Sequence, residues 1–120
     1  MKLKNILICV TDIEASKHFY KELFGLEVIL DGDSNVILSE GLVLQEKSVW
    51  EKALNQKIVS ENNATELYFE ENDMDAFVDK IKQYSPQIKI VTPYEKLAWG
   101  QKLIRLYDLD GNLIEVRSGI

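Results

Sequence analysis

The sequence predicts an α+β fold made of two βαβββ modules. Two internal echoes and the order of its apolar runs point there. Asp12-Ile13-Glu14-Ala15 and Asp73-Met74-Asp75-Ala76 each follow a short apolar run and open an amphipathic stretch, the second beginning 61 residues after the first in a chain of 120. Gly41-Leu42-Val43-Leu44-Gln45-Glu46 is answered by Gly111-Asn112-Leu113-Ile114-Glu115-Val116. The chain therefore reads as one domain of two repeats, residues 1–48 and 64–120. A cavity between like modules is a usual seat for a small ligand.

Residues 5–10 form a near-continuous apolar strand, and Thr11 with Glu14 has the pattern of a capping box that starts a helix. Ile13, Tyr20 and Phe24, with Phe19 and Leu23 beside them, give that helix a buried stripe, and Gly25 supplies a left-handed stop. Strands are expected at 27–31, 35–39 and 42–47, separated by Asp31-Gly32-Asp33-Ser34 and by Glu40-Gly41. Trp50 to Asn55 reads as a short helical linker and Ser60 to Asn63 as a polar hinge.

The second half repeats the order. A strand at 65–70 leads to a helix from Asp73, whose Met74, Phe77, Val78 and Ile81 recur at i, i+3, i+4 and i+7 and which stops at Ser85-Pro86. Strands near 88–92, 102–107 and 112–117 complete it, with Asp110-Gly111-Asn112 as a hairpin turn and Pro93 to Gly100 as an irregular loop.

The 46 % hydrophobic content suits a packed core, with a radius of gyration of about 14 Å and roughly two-thirds of the unfolded surface buried. Fourteen basic against twenty acidic residues give a net charge of −6 with no basic stripe, so nucleic acid is not an expected partner. Cys9 is the only cysteine, which excludes an intrachain disulfide and a thiolate zinc cluster and fits a reducing compartment. The apolar run Ile6 to Val10 is too short for a signal segment or a membrane span, so a cytoplasmic protein with no membrane partner is expected.

Two short patterns fail. Asp31-x-Asp33-x-Asn35 begins like a calcium loop, but Val36 stands where glycine is needed and Leu42 where glutamate is needed. Asn63-Ala64-Thr65 matches a glycosylation triplet of low specificity, with nothing else indicating secretion. No Gly-rich phosphate loop, nucleophile elbow or Cys-x-x-Cys occurs.

Val10-Thr11-Asp12-Ile13 running into Phe19-Tyr20-Lys21-Glu22-Leu23-Phe24-Gly25-Leu26, and Trp99-Gly100-Gln101 leading to Tyr107-Asp108-Leu109-Asp110-Gly111-Asn112-Leu113-Ile114-Glu115, resemble the glyoxalase, bleomycin-resistance and extradiol dioxygenase superfamily, the vicinal oxygen chelate proteins. Leu109 stands where the closing motif usually has proline. The resemblance implies that the two βαβββ modules curl into an open mixed-sheet barrel with flanking helices, that the protein is a homodimer, and that four strands each offer one metal ligand. Aligned by motif, those positions are Asn5, Gln45, Glu66 and Glu115, and the internal offsets pick out the same four.

Family metal sites commonly use two histidines with carboxylates, whereas Asn5 and Glu66 stand at the histidine positions here. The one histidine, His18, falls in the first helix and reads as a surface residue. A two-histidine-one-carboxylate iron site is therefore impossible within this chain. The remaining set of Gln45, Glu66 and Glu115, with Asn5, is all oxygen and suits manganese, magnesium or calcium better than zinc or iron. No cofactor is certain, and a divalent cation (manganese or magnesium) is the one candidate.

Two carboxylates converging on a partly dry cavity need a compensating charge. Arg105 is the local candidate, because alternation with core-facing Leu106 puts Arg105 and Tyr107 on the cavity side. Three readings stand together: a Glu–Arg network that only holds the fold, a general base at Glu66 or Glu115 with Arg105 and Tyr107 stabilising an anion, and ligand binding without turnover. The same alternation adds Leu7, Cys9, Val43, Tyr68 and Glu70 to the lining, with Trp99 and Gln101 at the mouth. Such a lining suits a small organic molecule, one bearing a cation among the candidates. Core packing is the plain alternative for Tyr68 and Trp99, and Cys9 lacks a neighbour that would activate its thiol. The leading expectation is a small-molecule-binding protein of the glyoxalase and bleomycin-resistance type, with catalysis open. The rival is a divalent-metal-dependent lyase, isomerase or dioxygenase-like enzyme.

Overall fold

The computed structural model describes residues 1–119 and divides them into two compact units, Met1–Val59 and Ser60 onward. The first contains β1 (Ile6–Val10), α1 (Ile13–Phe24), β2 (Val28–Asp31), β3 (Asn35–Leu38), a short 3-10 turn (Ser39–Gly41), β4 (Leu42–Glu46) and α2 (Lys47–Leu54). The second contains β5 (Leu67–Glu70), α3 (Met74–Gln83), β6 (Ile90–Lys96), β7 (Lys102–Tyr107) and β8 (Leu113–Arg117). Each unit holds one four-stranded mixed sheet, in the orders β1-β4-β3-β2 and β5-β8-β7-β6. The first strand of each pairs in parallel with the last, and the other pairings are antiparallel. The α+β class and the βαβββ order expected from the sequence are thus found in both halves.

The first echo is a helix-start signal. Asp12 is the N-cap of α1 and its Oδ1 accepts from the Ala15 amide at 3.1 Å; Asp73 caps α3 and accepts from the Ala76 amide at 3.0 Å. The cap of α1 is therefore Asp12 rather than the expected Thr11–Glu14 box. Asp12 keeps an extended backbone, and its carboxylate sits where the helix dipole is positive. At the other end Gly25, at φ 68°, lets its own amide and that of Leu26 reach back to the Lys21 and Tyr20 carbonyls. The buried face of α1 carries Ser16, Phe19, Tyr20 and Leu23, and the rings of Phe19, Tyr20 and Phe24 stack edge-on or tilted within 6 Å of one another, at 4.9, 5.7 and 5.6 Å. On α3 the buried residues are Met74, Phe77, Val78 and Ile81, the stripe read from the sequence.

Two boundaries differ from expectation. The linker helix begins at Lys47, directly after β4, and not at Trp50. Pro93 to Lys96 belong to β6 rather than to a loop. A proline is tolerated there because β6 is the edge of its sheet, and the pairing with β7 is irregular on either side of Thr92. Tyr94 on this strand donates its hydroxyl to Asp75 at 2.8 Å; burial first, and the acid second, push its phenol up to about 12.

The turn before β8 is organised by Asp108. Its Oδ1 accepts from the amides of Asp110 and Asn112, and its Oδ2 from the Asn112 side chain, all at 2.9 Å. Gly111 adopts φ 81°, and a Cβ there would collide with Ser60 Oγ.

The ladders revise the second echo. In the first unit Val43 lies between Leu7 on β1 and Ile37 on β3. In the second unit Glu115 lies between Tyr68 on β5 and Arg105 on β7. The positional counterpart of Glu115 is therefore Val43, and that of Gln45 is Arg117. Alignment on glycine misses this because Val43 lies two residues after Gly41, whereas Glu115 lies four residues after Gly111. The slip is two residues, which preserves the sheet face.

No helix among the described residues is long and apolar enough to cross a membrane. Replacing either cap, Asp12→Ala or Asp73→Ala, is expected to cost about 1 kcal/mol and to lower Tm by about 4 °C, while Asp→Asn at the same sites keeps most of the stability. Thermal melts followed by circular dichroism check both.

Candidate functional site

Strand alternation makes one face of the second sheet polar. On β7 and β8 the side chains of Ile104, Leu106, Ile114 and Val116 are buried on one face, which leaves Leu103, Arg105, Tyr107, Leu113, Glu115 and Arg117 on the other. Glu115 is only 3 % exposed, so its charge needs partners. It has two. Oε1 accepts from Arg105 Nε at 2.6 Å and Oε2 from Arg117 Nε at 2.7 Å. These are short, charge-assisted hydrogen bonds, one guanidinium to each oxygen.

The arginines are tethered in turn. Arg105 Nη1 donates to Thr92 Oγ1 at 3.3 Å, and Arg117 Nη1 to Gln101 Oε1 at 3.2 Å. Gln101 is buried; its Nε2 donates to the Ser118 carbonyl at 2.8 Å, and its Oε1 also accepts from Trp99 Nε1 at 3.0 Å. Tyr107 donates its hydroxyl to Asn63 Oδ1 at 2.7 Å, with Lys89 Nζ 5.6 Å from the ring centroid. Among the described residues no buried side-chain nitrogen or oxygen lacks a hydrogen-bond partner.

The other candidates fall as follows. Gln45 is buried within the first sheet, where Oε1 accepts from Asn35 Nδ2 at 2.9 Å and Nε2 donates to the carbonyls of Ser34 and Glu46 at 3.1 and 3.4 Å. Leu7 is paired with Val43 and Cys9 with Gln45 on that sheet, and Asn5 is half-buried just ahead of β1. Glu66 precedes β5, is exposed, and makes no hydrogen bond or ion pair with the described residues. Tyr68 and Trp99 are exposed at 54 % and 68 %, so neither is a core residue. His18 is exposed on α1. The second unit thus brings Glu115, Arg105, Gln101 and Trp99 into one hydrogen-bonded network.

Three members of this site were not read from the sequence. Arg117 carries a signal, since period two puts it on the face of Glu115, but no family position marks it. Thr92 lies on the irregular part of β6, and Asn63 lies 44 residues before the tyrosine it meets, so neither carried a local signal.

A divalent cation, which the resemblance implies, does not fit the donors. Both Glu115 oxygens already face guanidinium groups, so a metal there would sit against two positive charges or displace one of them. The Gln45 oxygen is taken by Asn35. Among the described residues no three His, Cys, Asp or Glu side chains gather as a metal site.

Residues 3–120 match the glyoxalase-like domain family. No curated protein matches the sequence. Among solved structures, a protein of unknown function from Agrobacterium tumefaciens is 32 % identical, with 100 % of this chain and 95 % of that one covered and a TM-score of 0.79. A hypothetical protein from S. aureus is 22 % identical, with coverage of 99 % and 95 % and a TM-score of 0.83. A genomically encoded fosfomycin resistance protein from Listeria monocytogenes is 18 % identical, with coverage of 100 % and 94 % and a TM-score of 0.78. With a family match over nearly its whole length, this chain belongs to the glyoxalase-like domain family.

Proposed function

We propose that this chain binds a small organic molecule at the polar face of its second sheet, around Arg105, Glu115 and Arg117, and that it does so without a divalent metal. The observation that carries this reading is the engagement of each Glu115 oxygen by a different arginine Nε, at 2.6 and 2.7 Å. A family member with a cation at this position would need those oxygens open. The exposed rings of Tyr68 and Trp99 support a ligand rather than a purely structural network, because large aromatics left on a surface next to fixed polar groups are typical contact residues. Solved structures of similar fold include proteins described as a fosfomycin resistance protein and a lactoylglutathione lyase, and their identities of 18 % and 21 % speak to the fold alone.

On this reading Glu115 is a positioning residue that orders two guanidinium groups. Each of its oxygens already accepts a charge-assisted hydrogen bond, which favours that role over proton abstraction. Glu66 is exposed ahead of β5, makes no hydrogen bond or ion pair with the described residues, and stands outside this arginine cluster. Tyr107 keeps its hydroxyl on Asn63 and so ties that residue to β7.

We also propose that the protein is a homodimer. The edge strand β2 leaves Ile29 and Leu30 at 66 % and 62 % exposure, an apolar edge that a second copy of the chain would cover.

Three outcomes are expected. Manganese, magnesium and EDTA each leave Tm and ligand binding unchanged; a saturable shift of several degrees with manganese would restore the metal reading. Arg105→Met and Arg117→Met each destabilise the fold by about 3 kcal/mol in urea, since a buried carboxylate loses one of its two partners. Ile29→Lys converts the dimer to a monomer in sedimentation equilibrium; a wild-type monomer at micromolar concentration would overturn the dimer.

A further inference from the structure

Resting on the small-molecule reading above, we infer that the ligand is an organic acid, held through its carboxylate by Arg105 and Arg117 and through a flat apolar body by Tyr68 or Trp99. The hydrogen-bonded cluster joins two guanidinium groups to one carboxylate and so carries +1 of its own in a chain of net charge −6, while Glu66, just ahead of β5, and Glu70, on it, lie exposed to solvent outside the cluster. Glu70 lies opposite Arg117 in the ladder but forms no ion pair with it, and no other acid among the described residues pairs with either arginine.

The donor count gives the same answer. A guanidinium carries five N–H donors, and an ion pair with a carboxylate usually draws on two nitrogens of one arginine. Here Glu115 is shared, so each arginine gives it Nε alone. Each Nη1 makes one long hydrogen bond to a neutral oxygen, and Nη2 of both arginines has no acceptor among the described residues. The arginine side chains remain 32 % and 21 % exposed, so these donors are reachable from solvent. Two oriented and undersaturated guanidinium groups form a receptor for a planar oxyanion.

The body of the ligand follows from the aromatic neighbours. Tyr68 is the ladder partner of Glu115, and the Trp99 indole is fixed by the same Gln101 oxygen that holds Arg117. A flat apolar group attached to the acid would lie against an exposed ring beside the arginines. The two guanidinium groups disfavour a cation in contact with them, against the cation-bearing molecule that the lining of aromatics and carboxylates suggests.

The test uses the full chain and three matched probes, benzoate, benzamide and benzylammonium, with inorganic sulfate as a fourth, in isothermal titration at low ionic strength. Saturable binding of benzoate is expected at least tenfold tighter than that of the other three, weakening as salt rises. Arg105→Gln and Arg117→Gln should each reduce benzoate affinity at least tenfold, with the lysine variants recovering part of it. Glu115→Gln should lower benzoate affinity several-fold, because the two guanidinium groups lose the carboxylate that orients them. The salt dependence and probe order need no variant, so they decide the matter even if a substitution unfolds the chain. Preference for benzamide or benzylammonium would overturn the acid while leaving the small-molecule reading standing. Sulfate binding as tightly as benzoate would overturn the organic body, and no binding of any probe would overturn both readings.

Discussion

A carboxylate cannot be buried alone. Removing Glu115 from water costs several kcal/mol, and only close, well-aligned opposite charge offsets that. The second unit meets this requirement through strand geometry: the β7–β8 ladder sets Arg105 directly opposite, and period two sets Arg117 on the same face of β8. The remaining polar order follows from those two placements. Thr92 and Gln101 fix the outer ends of the arginines, Ser118 fixes Gln101, and Trp99 is drawn in through the same amide oxygen. The presence of two guanidinium groups where a cation would otherwise stand is also what separates this site from a metal centre.

The sequence revealed the fold well because its signals are local. Each Asp-x-x-Ala is a cap whose hydrogen bond spans three residues, and the α3 stripe is a period that ten residues suffice to display. Alternation along β7 was equally readable, with Leu106 to the core and Arg105 away from it. Register was not. The shift that pairs Glu115 with the level of Val43 depends on the length of the turn before β8, and the two glycines that invited alignment sit at different distances from these two residues.

The site was read in part for a related reason. Family position marks the acids and amides that a metal would need, Glu66, Gln45 and Asn5 among them. Burial then sorts them differently: Glu66 is exposed, and Gln45 spends its amide on Asn35, Ser34 and Glu46 within its own sheet. Which basic groups answer a buried acid is a three-dimensional matter, since both partners of Glu115 are defined by the pleat and by a neighbouring strand.

The departure from internal symmetry has a consequence for stoichiometry. At the levels where the second unit carries Arg105, Glu115 and Arg117, the first carries Ile37, Val43 and Gln45, two aliphatic side chains and a neutral amide. Duplication supplied the scaffold twice, but the charged recognition elements occur once. A guest recognised by that charge would find its determinants in one unit and not in the other, so one molecule per polypeptide is the expected stoichiometry.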